Sequence, residues 1–179
     1  YILSSNIDIE DFEQILQNSE KADSETIYPI GFVNAAAWLL SRECVEIVGG
    51  FDPLFDHYGE DNNYLDRIRY HGFEVGIVPN SIIYHDRGQR GGNSSRNPFA
   101  RKMEVFRRSM LIDALNPNNA NKVDQIKRRL LIRKWQSFLR FDRVNSRLQN
   151  DIYKEFVFMV DIMHEHYELS KRKGITYLE

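Results

Sequence analysis

The run Val48-Gly49-Gly50-Phe51-Asp52-Pro53-Leu54-Phe55 is followed closely by Tyr58-Gly59-Glu60-Asp61. Paired glycines mark the end of a short helix that Ser41 is placed to cap, running to Val48. Phe51 to Tyr58 then reads as a loop. Gly59 to His71 reads as a second helix, with Tyr64, Leu65 and Ile68 inward and Gly72 as its C-terminal cap. Glu60 and Asp61 therefore stand in the first turn of that helix. Free N–H groups and the helix dipole there keep carboxylates ionised. An ionised carboxylate held in this way is suited to take a proton from a substrate hydroxyl. Two acids in a first turn are also ordinary capping chemistry.

Upstream, Tyr28 to Leu40 is dominated by apolar and small residues and reads as a buried strand covered on both faces. Asp8 to Gln17 spaces Ile9, Phe12, Ile15 and Leu16 as a short acidic helix, and Asn18 to Thr26 reads as a loop. Downstream, Phe73–Val78 and Ser81–His85 read as strands split by a Pro79-Asn80 turn. His85 ends the second of them and opens the loop 86–97, which carries Arg87, Arg90 and Arg96. An imidazole there can hold a divalent cation or a phosphate, although a histidine at a strand end is more often structural. Arg87 and Arg90 could close on a diphosphate.

From Pro98 onward the periodicity is helical. Met103, Phe106, Met110 and Leu111 mark one helix, closed by Asn116-Pro117-Asn118-Asn119. Val123, Ile126, Leu130, Trp135, Phe138 and Leu139 mark a second, and the stripe from Leu148 to Tyr167 marks a third. Trp135 and Phe138 are expected on the buried stripe. His164 and His166, two residues apart on a helix, point to different sides and are not expected to share a metal.

The chain has 179 residues, 42% apolar and 28% charged, which is the size and balance of one globular domain. No apolar run is long enough to span a membrane. Cys44 is the only cysteine, which excludes an intrachain disulfide and a cysteine-built zinc site, and nothing points to an oxidising compartment. The net charge of -2 hides an asymmetry: residues 1–66 hold 14 acids and two bases, while residues 67–147 hold 18 bases and six acids. The basic middle is suited to face phosphates or an anionic lipid surface, or it is a solvated helix face.

The order and spacing of these residues resembles the family-2 glycosyltransferases of the GT-A fold, specifically the second half of their catalytic domain. The positions that agree are Arg42, Gly49, Gly50, Phe51, Asp52, Phe55, Tyr58, Gly59, Glu60, Asp61, Arg67, Gly72, Pro79, His85 and Gly88, about a third of the chain around residues 30–90. The resemblance implies an α/β fold: a partial GT-A sheet with helices over 1–97, then a helical C-terminal extension over 98–179. It also implies transfer of a sugar from a nucleotide-sugar donor to an acceptor hydroxyl, inverting rather than retaining. Carried over, Asp61 is the base and Glu60 orients the acceptor. Trp38, Asp52 and Arg67 line the acceptor side. Arg87 and Arg90 belong to the donor-diphosphate loop, and His85 helps hold a divalent cation, Mg or Mn, on the leaving diphosphate.

The expected partners are the donor and a glycan or lipid-linked acceptor, not nucleic acid. A homo-oligomer through the C-terminal helices stays open. The expected place is cytoplasmic, either free or peripheral at the inner face of a membrane. The pattern departs from the family at Asn63, where many members carry a second acid. It departs again at Asp66, where an apolar residue is usual, which puts the packing of that helix in question or else suggests a salt bridge at its surface. No Asp-x-Asp occurs in the 179 residues, and the nucleotide-binding half is expected in a longer product of which this chain is the C-terminal part. The alternative is a non-catalytic glycan- or partner-binding module derived from such an enzyme.

Overall fold

The structure is a computed structural model that describes residues 27–56, 58–78, 81, 83–84, 98–141 and 143–178. The helix expected at 8–17, the loop at 18–26, the Pro79-Asn80 turn and the loop at 86–97 lie outside these residues. Five helices and one two-stranded sheet are described. In chain order they are β1 (Tyr28–Pro29), α1 (Arg42–Val48), α2 (Glu60–Tyr70), β2 (Gly76–Ile77), α3 (Pro98–Ala114), α4 (Lys122–Leu139) and α5 (Arg143–Ser170). β1 and β2 pair antiparallel, Tyr28 against Ile77 and Pro29 against Gly76.

The short helices end where the sequence places their caps. The Ser41 side chain accepts a hydrogen bond from the Cys44 N–H at 3.1 Å, satisfying one of the open donors of α1. Gly49 closes α1 at φ 80°. Gly59 opens α2 in the left-handed region, and Gly72 follows its C-cap at φ 85°. Pro98 begins α3, a position where its missing N–H costs nothing.

Two apolar clusters form the interior. One joins Cys44 and Val48 of α1 to Tyr64, Leu65 and Ile68 of α2, with Trp38, Phe32, Phe73 and Val75 packed against it. The larger joins Met110, Leu111, Ala114 and Leu115 to Val123, Ile126 and Leu130 of α4 and to Ile152, Phe156, Met159, Val160 and Met163 of α5. Phe55, from the loop before α2, belongs to this second cluster. Phe156, Leu115 and Met163 are fully enclosed, and each large apolar side chain buried in this way contributes about 1.5–3 kcal/mol.

Three sequence expectations change. The strand over Tyr28–Leu40 is reduced to two residues. From Ile30 to Leu40 the chain has neither strand nor helix, and Leu39 is fully exposed. Among the described residues no strand flanks residues 30–40 on either side. Apolar residues alone therefore do not make a two-faced strand there, and Trp38 instead closes a local turn through Nε1–H to the Asn34 carbonyl at 3.0 Å. The strand over Phe73–Val78 shortens to Gly76–Ile77, and the described residues of 81–85 are not in a strand, with Ile83 and Tyr84 exposed. Finally, Trp135 and Phe138 are 56% and 62% exposed. The buried face of α4 is Val123, Ile126, Leu130 and Ser137, and Trp135 and Phe138 fall on another.

Candidate functional site

The paired glycines are explained by what lies on them. The segment after α5 crosses α1 at its C-terminal end. The Gly50 N–H donates to the Thr176 carbonyl at 2.7 Å, and the Gly174 N–H donates to the Ile47 carbonyl at 2.9 Å. A Cβ on Gly49 would stand 2.1 Å from the Thr176 carbonyl oxygen, and one on Gly50 would stand 2.4 Å from that of Tyr177. Only glycine admits a backbone this close.

Arg67 reaches the same place from α2. Its guanidinium donates to the Gly50 carbonyl at 2.6 Å and to the Val48 carbonyl. These are acceptors left open at the end of α1. The guanidinium carbon lies 5.5 Å from the Tyr64 ring centroid and 5.0 Å from that of Tyr177. Tyr64 adds a hydroxyl bond to the Gly49 carbonyl at 2.8 Å. Burial lowers the Arg67 pKa from its ordinary value, while Tyr177, Asp52 and Tyr64 act in the other direction. Burial also pushes the Tyr64 hydroxyl up to about 12 and raises that of Tyr177.

Asp52 turns inward next to this group and is only 1% exposed. Its Oδ1 accepts from the Leu54 N–H at 2.9 Å, which shapes the turn before α2. The same oxygen lies 2.8 Å from His166 Nδ1 on α5, and Tyr177 stacks on the imidazole with its hydroxyl 3.3 Å from Nδ1. Oδ2 has no partner among the described residues.

Asp52 and Arg67, expected to line the acceptor side, are thus interior residues that tie α1, α2, α5 and the segment after it together. Burial and two bonds to backbone carbonyls hold the Arg67 head group in the interior, with Nε left without a partner among the described residues. His166 was not expected to matter. The available signal was the spacing Met159, Met163, His166 and Ser170, which puts it on the buried stripe of α5. His164 faces the other way, 3.9 Å from Asp124.

The carboxylate pair keeps the expected position. Left-handed Gly59 turns the chain so that Glu60 and Asp61 begin α2, both half-buried. Asp61 Oδ1 accepts from the Asn62 N–H at 2.8 Å, so the helix N-terminus holds the carboxylate. Glu60 Oε2 is buried without a partner among the described residues. So are both polar atoms of the fully buried Asn63 amide. Polar atoms left open inside a protein are costly, and they gather where a water or ligand is bound. Trp38 packs with Phe51 and Tyr64 at centroid distances of 5.9 and 5.8 Å.

A shallow pocket of about 90 Å³ opens on the other side of the loop. Leu54, Phe55, Tyr58, Arg107, Arg108 and Leu111 are among its walls, whereas Glu60 and Asp61 are not. Arg108 stacks on Tyr58 at 4.8 Å and faces Glu104 at 3.7 Å.

His85, Arg87 and Arg90 lie outside the described residues. Among the described residues no three His, Cys, Asp or Glu side chains converge to hold a metal ion, and no helix is long and apolar enough to cross a membrane. No protein-family model matches the chain, and no curated protein or solved structure matches it either.

Proposed function

We propose that the chain carries the acceptor side of a glycosyl-transfer site, with Asp61 as the base. The observation that carries this is the Glu60-Asp61 pair on the first turn of α2, set there by left-handed Gly59 within the glycosyltransferase-like motif. In the proposed step, Asp61 takes the proton of an acceptor hydroxyl. The acceptor oxygen then forms its bond to the anomeric carbon of a nucleotide-sugar as the bond to the nucleoside diphosphate breaks, inverting that carbon. Glu60, with one oxygen open, orients the acceptor. His85 remains the proposed ligand of a Mg²⁺ or Mn²⁺ ion that would offset charge on the leaving diphosphate. Arg87 and Arg90 are proposed for the same diphosphate. The fold proposed around them is the later part of a GT-A domain.

The interior placement of Asp52 and Arg67 favours a second reading, a module that binds a glycan or a partner without transfer. Titration of UDP-, GDP- and dTDP-sugars with Mn²⁺ against the complete gene product separates the two. The transfer reading expects binding of one donor, and it expects Asp61→Asn to abolish transfer by at least about 100-fold with binding kept. Failure to bind any donor, or transfer undiminished in Asp61→Asn, rejects the base assignment.

A further inference from the structure

We infer that the exposed face of α4, with the turn into α5, docks on an anionic lipid surface. Leu131, Trp135 and Phe138 follow one another at i, i+4 and i+7, and Ile132 and Leu139 lie one residue further round. All five are solvent-exposed, on the side of α4 away from its buried stripe. The turn continues the patch: Phe141, held at φ 55°, is 91% exposed, and Val144 is 81% exposed. Large apolar side chains this close together are unusual on a surface that meets only water.

The charge around the patch selects its occupant. Lys122 to Val144 holds eight bases and two acids. Arg129, Arg133 and Arg140 border the apolar stripe on one side and Lys127 and Lys134 on the other, and Arg143 stands at the turn. Apolar residues between flanking bases suit a helix that lies in the headgroup layer, with its aromatics at acyl-chain depth and its cations on lipid phosphates. A second copy of the same face would bring these bases against one another, and a nucleic acid would leave the aliphatic residues in water. The inference does not rest on the glycosyl-transfer reading.

The test is cosedimentation of the purified chain with two kinds of vesicle. One is pure phosphatidylcholine, and in the other a third of the lipid is phosphatidylglycerol. Binding is expected to the anionic vesicles only, and to weaken as salt is raised. Arg133→Gln with Arg140→Gln is expected to weaken it about 30-fold, at roughly fivefold for each base. Trp135→Ser with Phe138→Ser is expected to weaken it at least about tenfold. Both pairs are exposed, and circular dichroism and thermal melting are expected to stay as in the parent. Equal binding to both vesicles, binding to neither, or binding indifferent to all four substitutions overturns the inference. So does concentration-dependent self-association, seen by light scattering and removed by Trp135→Ser with Phe138→Ser, if vesicle binding is absent.

Discussion

Asp66 is a half-buried acid on α2, one turn before the exposed Arg69 and Tyr70. Burial pushes its carboxyl up to about 6, and Arg69, 3.7 Å away, only partly opposes that. An acid whose folded pKa lies above its unfolded one favours the folded state at low pH, and that contribution is lost as pH rises through about 6. Asp66→Asn should therefore be more stable than the parent at pH 7, by at most about 3 kcal/mol. The advantage should fade toward about pH 4. Urea unfolding at the two pH values measures it, and an equal gain at both would mean that the charge is not the cause. Of the two outcomes the sequence left open here, altered helix packing or a salt bridge at its surface, an ion pair with Arg69 is present. What the sequence could not show is how far the carboxyl is buried, because that depends on how the surrounding segments pack over α2.

At the scale of elements, the helices among the described residues were legible, whereas the strands over 28–40 and 73–78 were legible in place but not in extent. Ser41, Gly49, Gly59 and Gly72 carry local chemistry that fixes helix ends without help from the rest of the chain. A strand needs a neighbour, and among the described residues the run 28–40 pairs only through Tyr28 and Pro29 with residues 76–77 and through one bond from the Ile30 N–H to the Val75 carbonyl. The stripe of α4 misled for a related reason. It has more apolar residues than its one packed face can take, so spacing alone put Trp135 and Phe138 in the core.

The two kinds of glycine also separate at this scale. Gly72 has φ 85° with nothing within 4 Å of an added Cβ, while Gly49 has φ 80° and a backbone oxygen at 2.1 Å. Gly72→Ala should cost about 1 kcal/mol, the left-handed penalty alone. Gly49→Ala should cost about 2–4 kcal/mol, because the segment crossing α1 must also move. Thermal melts of the two variants compare them directly, and equal losses would mean that the crossing segment yields freely.

Across the whole molecule, the carboxylate pair was visible in the sequence because it is local, while its support was not. Asp52 and His166 are 114 residues apart, and their contact joins the loop before α2 to α5. His166→Ala should cost about 1–3 kcal/mol, since it leaves the buried Asp52 carboxylate with the Leu54 N–H bond on Oδ1 and no partner on Oδ2 among the described residues. Asp52→Asn in the same chain should recover part of that loss, giving a non-additive double-mutant cycle. Additive losses would show that the two side chains act independently.

The bonds from Thr176 and Gly174 back to Gly50 and Ile47 have a further consequence during synthesis. Domains begin to fold as they leave the ribosome, N-terminal parts first. The end of α1, already bonded by Tyr64 and Arg67 of α2, nevertheless receives further partners from residues 174–176. A nascent chain that has released α1 and α2, and even α3 and α4, still holds the Asp52 carboxylate and the Arg67 guanidinium without their distant contacts. The Asp52–His166 and Arg67–Tyr177 contacts form only when α5 and the segment after it have cleared the exit tunnel.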